Sequence, residues 1–574
     1  MRNGRDTTEF DSRRFRLRMR LVLALLVAFA AALLLRAVHL QVLNRNFLER
    51  QGDQRYMREA RMPATRGAIL DRFGEPLAVS SPVDSVWVNP REIGQGAQRI
   101  DQLAAALKRD RQWLAQRITS NLDRQFLYVA RHMEPAAAAR VRRLGIPGTY
   151  LLREYRRFYP TGEVTGHLLG FTSVDEAGQE GLELLYERTL AGRDGSKRVI
   201  KDNLGRTVEN VESIRAPRPG TDLYTSIDLR IQYLAYRELK SAIREFQARA
   251  GSVVVLDVET GEVLAMVNQP SFNPNDREQY EVARYRNRAA TDIFEPGSSI
   301  KPFIIAAALA SGRYRADSVI DTSPGSVKVG IKTITDHHPI GIADLSTVIA
   351  KSSNVAMAKI ALSLEREQIS KTLHGLGFGE LTASGFPAES AGLLGPAEEW
   401  RPIGIATMAY GYGLSVTALQ LAQAYATIGA FGIRRPVTFR RVDGPVTGER
   451  VLPEHTARDL IGLLERVVTP DGTGKRASVP GYRVAGKTGT AWKATAGGYS
   501  TNHYTAVFGG VVPATRPKLA ALVVIDDPGG ARYYGGEVAA PVFSAVVAGA
   551  LRLMSVPPDD PRNVSSATLV QAAP

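Results

Sequence analysis

The 574-residue chain contains no cysteine, which excludes disulfide staples and thiolate metal sites. That composition fits a protein outside the cytoplasm that folds without covalent crosslinks. The adjacent pair His337-His338 has no ligand spacing around it, so a turn accounts for it better than a metal does. Nucleotide signatures are incomplete. Gly472-Thr-Gly-Lys475 resembles a phosphate loop, but Thr469 stands where its first glycine belongs and Arg476 where Ser or Thr is needed. Gly411-Tyr-Gly413 lacks the third glycine of a dinucleotide loop. An acidic excess is also lacking: 73 Lys and Arg against 58 Asp and Glu leave a net charge of +15. The arginines are dispersed and no nucleic-acid module is visible, so this charge points to a membrane surface or an anionic polymer and not to nucleic acid. What the chain does have is bulk, since a 44% hydrophobic content over this length allows two or more domains with a large core.

The first twenty residues carry seven arginines against three acids, and residues 21–35 then form an uninterrupted apolar run. Apolar character resumes at Ala37, Val38, Leu40, Val42 and Leu43. With Arg20 and Arg36 snorkelling, this supplies the roughly 20 residues of a tilted spanning helix. The expectation is a transmembrane anchor over 21–43, with the arm 1–20 in the cytoplasm and the rest outside. Ala28-Phe29-Ala30 offers a small-residue cleavage site. It lies inside the run with more apolar residues after it, which favours an uncleaved anchor over a signal peptide.

From 44 to 220 the chain is polar and arginine-rich. Residues 66–74, RGAILDRFG, read as a short strand ending in a charged turn, and 178–183, GQEGLE, as a turn into a helix near Leu182. Between them, 103–118 and 136–144 have the pattern of surface helices. A new domain begins near 221. Strands over 252–256 and 263–267 join through Glu259-Thr260-Gly261-Glu262 as a hairpin, and 504–512 with 519–525 form a second pair. They enclose helices over 303–310, 345–350 behind a capping Asp344, 355–364 and 417–428. This predicts an α+β domain with helices packed on an antiparallel sheet. The tail, 557–574, is rich in Pro, Asp, Ser and Ala without periodicity and is expected to be disordered.

Chemistry concentrates in residues 295–303, EPGSSIKPF. If a helix starts at Pro296-Gly297, Ser298 and Lys301 share one face near its positive end. A serine hydroxyl is a weak nucleophile, and a lysine deprotonated by desolvation or by a second cation can take its proton. Pro302 is awkward in a second turn and favours an irregular helix start beside Ser298. A lone SxxK is a weak signal. Here Ser352-Ser353-Asn354 and Lys487-Thr488-Gly489-Thr490 follow it, and the ordered set of three is specific.

On these residues the chain resembles the class B penicillin-binding proteins, from the anchor to about residue 556. Segments 66–74 and 178–183 are similar to motifs of that class's pedestal (dimerisation-like) domain, expected here over 44–220, and the three catalytic motifs to those of its transpeptidase domain, expected over 221–556. Residues 409–421, AYGYGLSVTALQL, are closest to the septal D,D-transpeptidase branch. The resemblance implies an enzyme that crosslinks peptidoglycan stem peptides ending in D-Ala-D-Ala, without a cofactor, through an ester on Ser298. Lys301 would be the base, Ser352 a proton relay and Asn354 a hold on the substrate amide. Lys487, Thr488 and Thr490 would bind the terminal carboxylate, with Gly489 between them. Backbone N–H groups of Ser298 and Thr490 would form the oxyanion hole. By the same analogy Tyr410, Tyr412, Tyr533 and Tyr534 line the pocket, a role that competes with plain packing. Trp492 stands where a compared family member has arginine. β-Lactams would acylate Ser298. Arg156-Arg157-Phe158-Tyr159 matches part of a glycosyltransferase signature, without its acidic pair or histidine, and reads as structural. Strand polymerisation would then fall to a separate membrane glycan polymerase, with other division proteins as partners, in the cytoplasmic membrane with the catalytic domain in the periplasm. The alternatives are an elongation-specific transpeptidase, a secreted β-lactamase, and a non-catalytic β-lactam sensor or division scaffold.

Overall fold

A computed structural model of the chain describes residues 6–43, 57–93, 97–201, 207–276, 278, 281–444, 446–495 and 498–560. They divide into two compact units, each assembled from three chain segments. The first comprises Met1–Ala64, Val83–Glu154 and Arg193–Arg218, and the second Thr65–Pro82, Tyr155–Gly192 and Pro219–Pro574.

In the first unit a helix, Asp6–Val38, runs on into a π-helical turn, His39–Leu43. It begins within the arginine-rich arm. The stretch Phe15–Gln41 is long and apolar enough to cross a bilayer, and none of its apolar window is buried. A hydrocarbon core of about 30 Å needs about 20 helical residues, so this helix suffices. The compact part of the unit is built on Val86, Val88, Leu103, Leu114, Ile118, Leu127 and Val129. The single surface helix expected over 103–118 is in fact two helices, Ala97–Leu107 and Arg111–Thr119. Lys108 turns the chain with φ +51°, and Asp110 caps the second helix by accepting from Trp113 N at 2.7 Å. Leu103, Leu107, Leu114 and Ile118 are buried, so both helices form core.

In the second unit the 66–74 and 178–183 segments meet. Ile69–Leu70 is a short strand pairing with Ala78 and Pro76, and Asp71 Oδ1 closes the following turn by accepting from Phe73 N and Glu75 N. Glu183 lies fully buried between two guanidinium groups. Its Oε2 accepts from Arg66 Nε at 2.7 Å and its Oε1 from Arg157 Nε at 2.6 Å. Arg66 also donates to Glu187 Oε2 (2.6 Å) and to the Glu183 carbonyl (2.8 Å). Arg157, from the partial glycosyltransferase match, is thus a structural ion-pair member.

The remainder of this unit is organised by a five-stranded antiparallel sheet. In chain order come helix α1 (Leu229–Glu245), strands β1 (Ala250–Asp257) and β2 (Val263–Gln269), and helices α2 (Lys301–Ala310), α3 (Leu345–Lys351), α4 (Asn354–Ser363) and α5 (Ala418–Gly429). Strands β3 (Ala485–Thr495), β4 (Gly498–Val512) and β5 (Leu519–Asp526) and helix α6 (Ala540–Leu553) follow. The sheet order is β2-β1-β5-β4-β3, all neighbours antiparallel. Alternate residues of each strand face opposite sides. On β1, Val254 and Leu256 join the core of α2 and α5, while Val253 and Val255 join that of α1 and α6. Buried on every side, α2 has apolar residues from Phe303 to Leu309 around its circumference, as an internal helix should. Of the tail expected to be disordered, 561–574 lie outside the described residues. Before them, Asp559 Oδ1 accepts from Arg483 N and Asp560 N donates to Gly481 O.

Candidate active site

Ser298 lies in a 3₁₀ turn, Gly297–Ile300, that leads into α2. The irregular start foreseen from Pro302 is this turn. Pro302 itself occupies the first positions of α2, where a missing N–H leaves no intrahelical bond unmade. Ser298 is half-buried, and its hydroxyl has no hydrogen-bond partner among the described residues.

One turn on, Lys301 is completely buried. Its Nζ lies 2.6 Å from Ser352 O, 3.1 Å from Ser352 Oγ and 2.7 Å from Asn354 Oδ1, so the first two motifs meet at one nitrogen. Ser352 ends α3 in the left-handed region, φ +62°, which presents both its carbonyl and its hydroxyl to Nζ. A non-glycine residue there costs on the order of 1–3 kcal/mol, and such strain persists where the surroundings enforce it. The surroundings here are anchored by Asp336. Its Oδ1 accepts from Asn354 N (2.6 Å) and Val355 N (3.0 Å), the first donors of α4, and its Oδ2 from Ser353 Oγ (2.6 Å). Nothing in the sequence singles out Asp336. Its partners are mostly backbone groups, and an acid 16 residues ahead of a motif carries no local signal.

Burial first, and then the positive charge of Lys487, hold the Lys301 amine well below the ordinary lysine range, while Asp336 pulls the other way. Lys487 is equally buried and is pushed down to about 7 by desolvation. Its Nζ donates to Thr488 O and Thr488 Oγ1, both at 3.1 Å. Two buried ammonium groups without a carboxylate between them disfavour each other, so both are driven toward the neutral amine. A neutral amine on the turn of Ser298 can accept that hydroxyl's proton.

The third motif lies on β3, which pairs with β4 alone and forms the sheet edge. That edge abuts the 3₁₀ turn. A Cβ at Gly489 would fall 2.6 Å from Pro296 O, and one at Gly411, where φ is +95°, 2.0 Å from Gly297 O. No side chain fits either position, and the contact fixes β3 against the serine turn. Thr490 Oγ1 accepts from Gly535 N (2.9 Å) and Thr488 Oγ1 donates to Thr473 Oγ1 (3.0 Å).

The aromatic residues sort into different environments. Tyr410 is buried against Val329, Ile334, Ala358 and Ala406, and burial pushes its phenol up to about 12. Tyr412 packs edge-on to Tyr499, 5.1 Å between ring centroids, and its hydroxyl accepts from Trp492 N at 3.2 Å. Tyr533 and Tyr534 are accessible, and Tyr533 stacks on Tyr504 at 4.1 Å. Tyr499 and Tyr504, both on β4, had no motif to mark them. Glu295, also unmarked, accepts through Oε1 from Gly413 N (2.8 Å) and Tyr499 OH (2.9 Å). Trp492 is 45% exposed.

Residues 251–548 match the penicillin binding protein transpeptidase domain and residues 61–225 the penicillin-binding protein dimerisation domain. The chain is 43% identical over 534 residues to peptidoglycan D,D-transpeptidase FtsI of Escherichia coli K12, covering 92% of this chain and 90% of that one. It is 40% identical over 550 residues to the probable peptidoglycan D,D-transpeptidase PbpC of Pseudomonas aeruginosa, covering 96% and 97%. Among solved structures, a peptidoglycan synthetase of Bifidobacterium adolescentis matches with a TM-score of 0.70 at 25% identity, covering 88% of this chain and 98% of that one.

Proposed function

The chain belongs to the class B penicillin-binding proteins and is a serine-type peptidoglycan D,D-transpeptidase, and from that premise we propose that Ser298 is its acylated nucleophile and Lys301 the base that prepares it. The observation that carries this reading is the buried Lys301 amine, held by Ser352 and Asn354 and kept from protonation by burial and Lys487. In acylation the bond from Ser298 Oγ to the penultimate D-Ala carbonyl forms and the bond to the terminal D-Ala nitrogen breaks. The hydroxyl proton passes to Lys301 and, by way of Ser352, to the departing nitrogen. In the second half an acceptor amine attacks the ester, the carbon–Oγ bond breaks and the amine's proton returns to Oγ. Two exchanges through an ester replace one harder direct exchange.

Asn354 Oδ1 is engaged by Lys301, which leaves its amide N–H groups to hold the substrate backbone. Lys487, with the hydroxyls of Thr488 and Thr490, takes the terminal carboxylate, and Gly489 lets the strand approach. Backbone N–H groups of Ser298 and Thr490 receive the oxyanion, each such donor being worth about 3–4 kcal/mol of barrier. Tyr412, Tyr533 and Tyr534 border the substrate, with Tyr410 behind them as packing. The anchor is placed at 21–43, the pedestal at 44–220 and the transpeptidase domain at 221–556, the last two in the periplasm. The relatives named FtsI support a septal role; from the resemblance of residues 409–421 to the septal branch we infer that the enzyme works beside a membrane glycan polymerase and other division proteins.

Mass spectrometry after exposure to a β-lactam tests the chemistry: the adduct is expected on Ser298, and an adduct elsewhere overturns the assignment. Depletion in cells tests the septal role. Filaments are expected, spheres would assign the chain to elongation, and septation supported by a Ser298→Ala chain would make it a scaffold.

A further inference from the structure

The compact part of the first unit carries a surface that the transpeptidase reaction does not use. Its stretch 83–154 has twelve lysines and arginines against seven acids, so it is basic in its own right. The excess gathers on the helix Arg111–Thr119 and its flanks. Trp113, 42% exposed, lies between two guanidinium groups, with Arg109 Cζ 5.9 Å and Arg117 Cζ 5.4 Å from its ring centroid. Arg117 Nε also donates to Tyr128 O at 3.2 Å, and the exposed Phe126 packs edge-on to the Tyr128 ring at 4.8 Å. Cationic and aromatic side chains thus alternate along one continuous strip. Its charge is not answered locally. Lys108, Arg109, Arg117 and Arg124 form no ion pair among the described residues. Of the two acids in 105–126, Asp110 Oδ1 accepts from Trp113 N as the helix cap, and Asp123 forms no ion pair either.

A half-exposed tryptophan flanked by uncompensated guanidinium groups suits a boundary that is apolar on one side and carries fixed anions on the other. The headgroup layer of an anionic bilayer is such a boundary. An acidic protein would match the charge, but the bilayer is already close. The membrane-crossing helix belongs to this same unit, and only residues 44–56 separate its end at Leu43 from the strand that begins at Met57. A connection that short gives an effective concentration on the order of millimolar, at which a weak surface contact is populated. We propose that this strip docks on the anionic phosphodiester headgroups of the bilayer that holds the anchor. Arg109, Arg117 and Arg124 donate to phosphate oxygens, and Trp113 and Phe126 enter the headgroup–acyl boundary. The proposal rests on residues 21–43 being that anchor.

Because the chain has no cysteine, a nitroxide can be attached at a single introduced one, Gln116→Cys, at an exposed position beside Arg117. The full-length protein is reconstituted in vesicles of phosphatidylcholine and in vesicles of equimolar phosphatidylcholine and phosphatidylglycerol. Contact of the label with lipid is read from its relaxation by oxygen against a water-soluble nickel chelate. Contact is expected in the anionic vesicles alone, and is expected to vanish near 1 M salt, where charges are screened beyond about 3 Å. Arg109→Gln combined with Arg117→Gln should lower the ratio of lipid-contacting to aqueous label at least tenfold, each arginine being worth about fivefold. Should that variant unfold, the salt titration of the labelled chain with both arginines intact still decides. A label that stays aqueous in both vesicles overturns the proposal, and is the outcome expected if the strip serves an acidic protein. Equal contact in neutral and anionic vesicles overturns it too. Retention of the chain on the vesicles through an alkaline carbonate wash scores the anchor separately, so failure of one reading leaves the other measurable.

Discussion

Two places in the second unit bury cations and treat them oppositely. Around Glu183, the guanidinium groups of Arg66 and Arg157 are matched by a carboxylate buried with them, and Arg66 is held above the ordinary arginine range by Glu183 and Glu187 despite its burial. Around Lys301, two ammonium groups are buried with hydroxyls, carbonyls and a carboxamide, and both are pushed downward. Burial alone therefore does not decide what a cation does. A carboxylate bonded directly to the cation locks the proton in place and makes a brace, whereas Lys301, acted on by Asp336 only from a distance, is freed of its proton, as the proposed base requires.

The sharpest way to break this contrast is Lys301→Ala. Acylation by a β-lactam, followed by mass spectrometry, is expected to slow by about 10³–10⁴-fold, at the upper end for loss of a general base, while the fold persists. Next is Glu183→Gln, which strands two guanidinium groups. It should cost about 3–5 kcal/mol of stability by denaturant titration, yet leave the acylation rate of the folded fraction near its original value. Asp336→Asn sits between brace and base. Weaker hold on Ser353 and the α4 N–H groups predicts roughly tenfold slower acylation with a stability loss of about 1–2 kcal/mol, typical of a weakened helix cap.

The pH dependence sharpens the comparison further. The base form of Lys301 is the neutral amine, so acylation should quicken as pH rises through its depressed pKa. Lys487 loses its charge above about 7, so peptide affinity, read as KM, should weaken there. For stability, Lys487 binds fewer protons folded than unfolded, so its contribution rises with pH from about 7 to the unfolded value of about 10.4, and Lys301, depressed in the same direction, adds to that rise. Lys487→Met should accordingly raise the melting temperature at pH 7 by a few degrees and flatten that rise. Glu183 offers no comparable gain.

The sequence was most legible where chemistry imposes spacing. Ser298 and Lys301, one helical turn apart, and the pairs Ser352 with Asn354 and Lys487 with Thr490 could be picked out because local geometry and residue type coincide. The sheet was legible from short continuous apolar runs such as 252–256 and 519–525, buried on both faces. Less legible was whatever depends on a long-range backbone contact. Asp336 works through N–H groups of a helix 18 residues on, and Tyr499 and Glu295 meet only through the tertiary fold. The two helices within 97–119 look like one in sequence because apolar spacing continues across Lys108, although Asp110 ahead of a helical run is a capping signal that divides them. Tyr410 looks like its neighbour Tyr412 in sequence, yet Tyr410 is buried in a small core while Tyr412 is only partly buried against its edge.

The glycines packed against the serine turn, Gly489 on β3 and Gly411 on the 409–413 turn, bear on how this site can change. Any side chain at Gly411 or Gly489 must drive against backbone next to Ser298, so, with Ser298 as the proposed nucleophile, substitutions there are expected to cost crosslinking and drug binding together. Tolerated change at the proposed site is thereby expected farther out, at aromatics such as Tyr533, stacked on Tyr504, and the half-exposed Trp492, where a substitution meets no backbone of the serine turn.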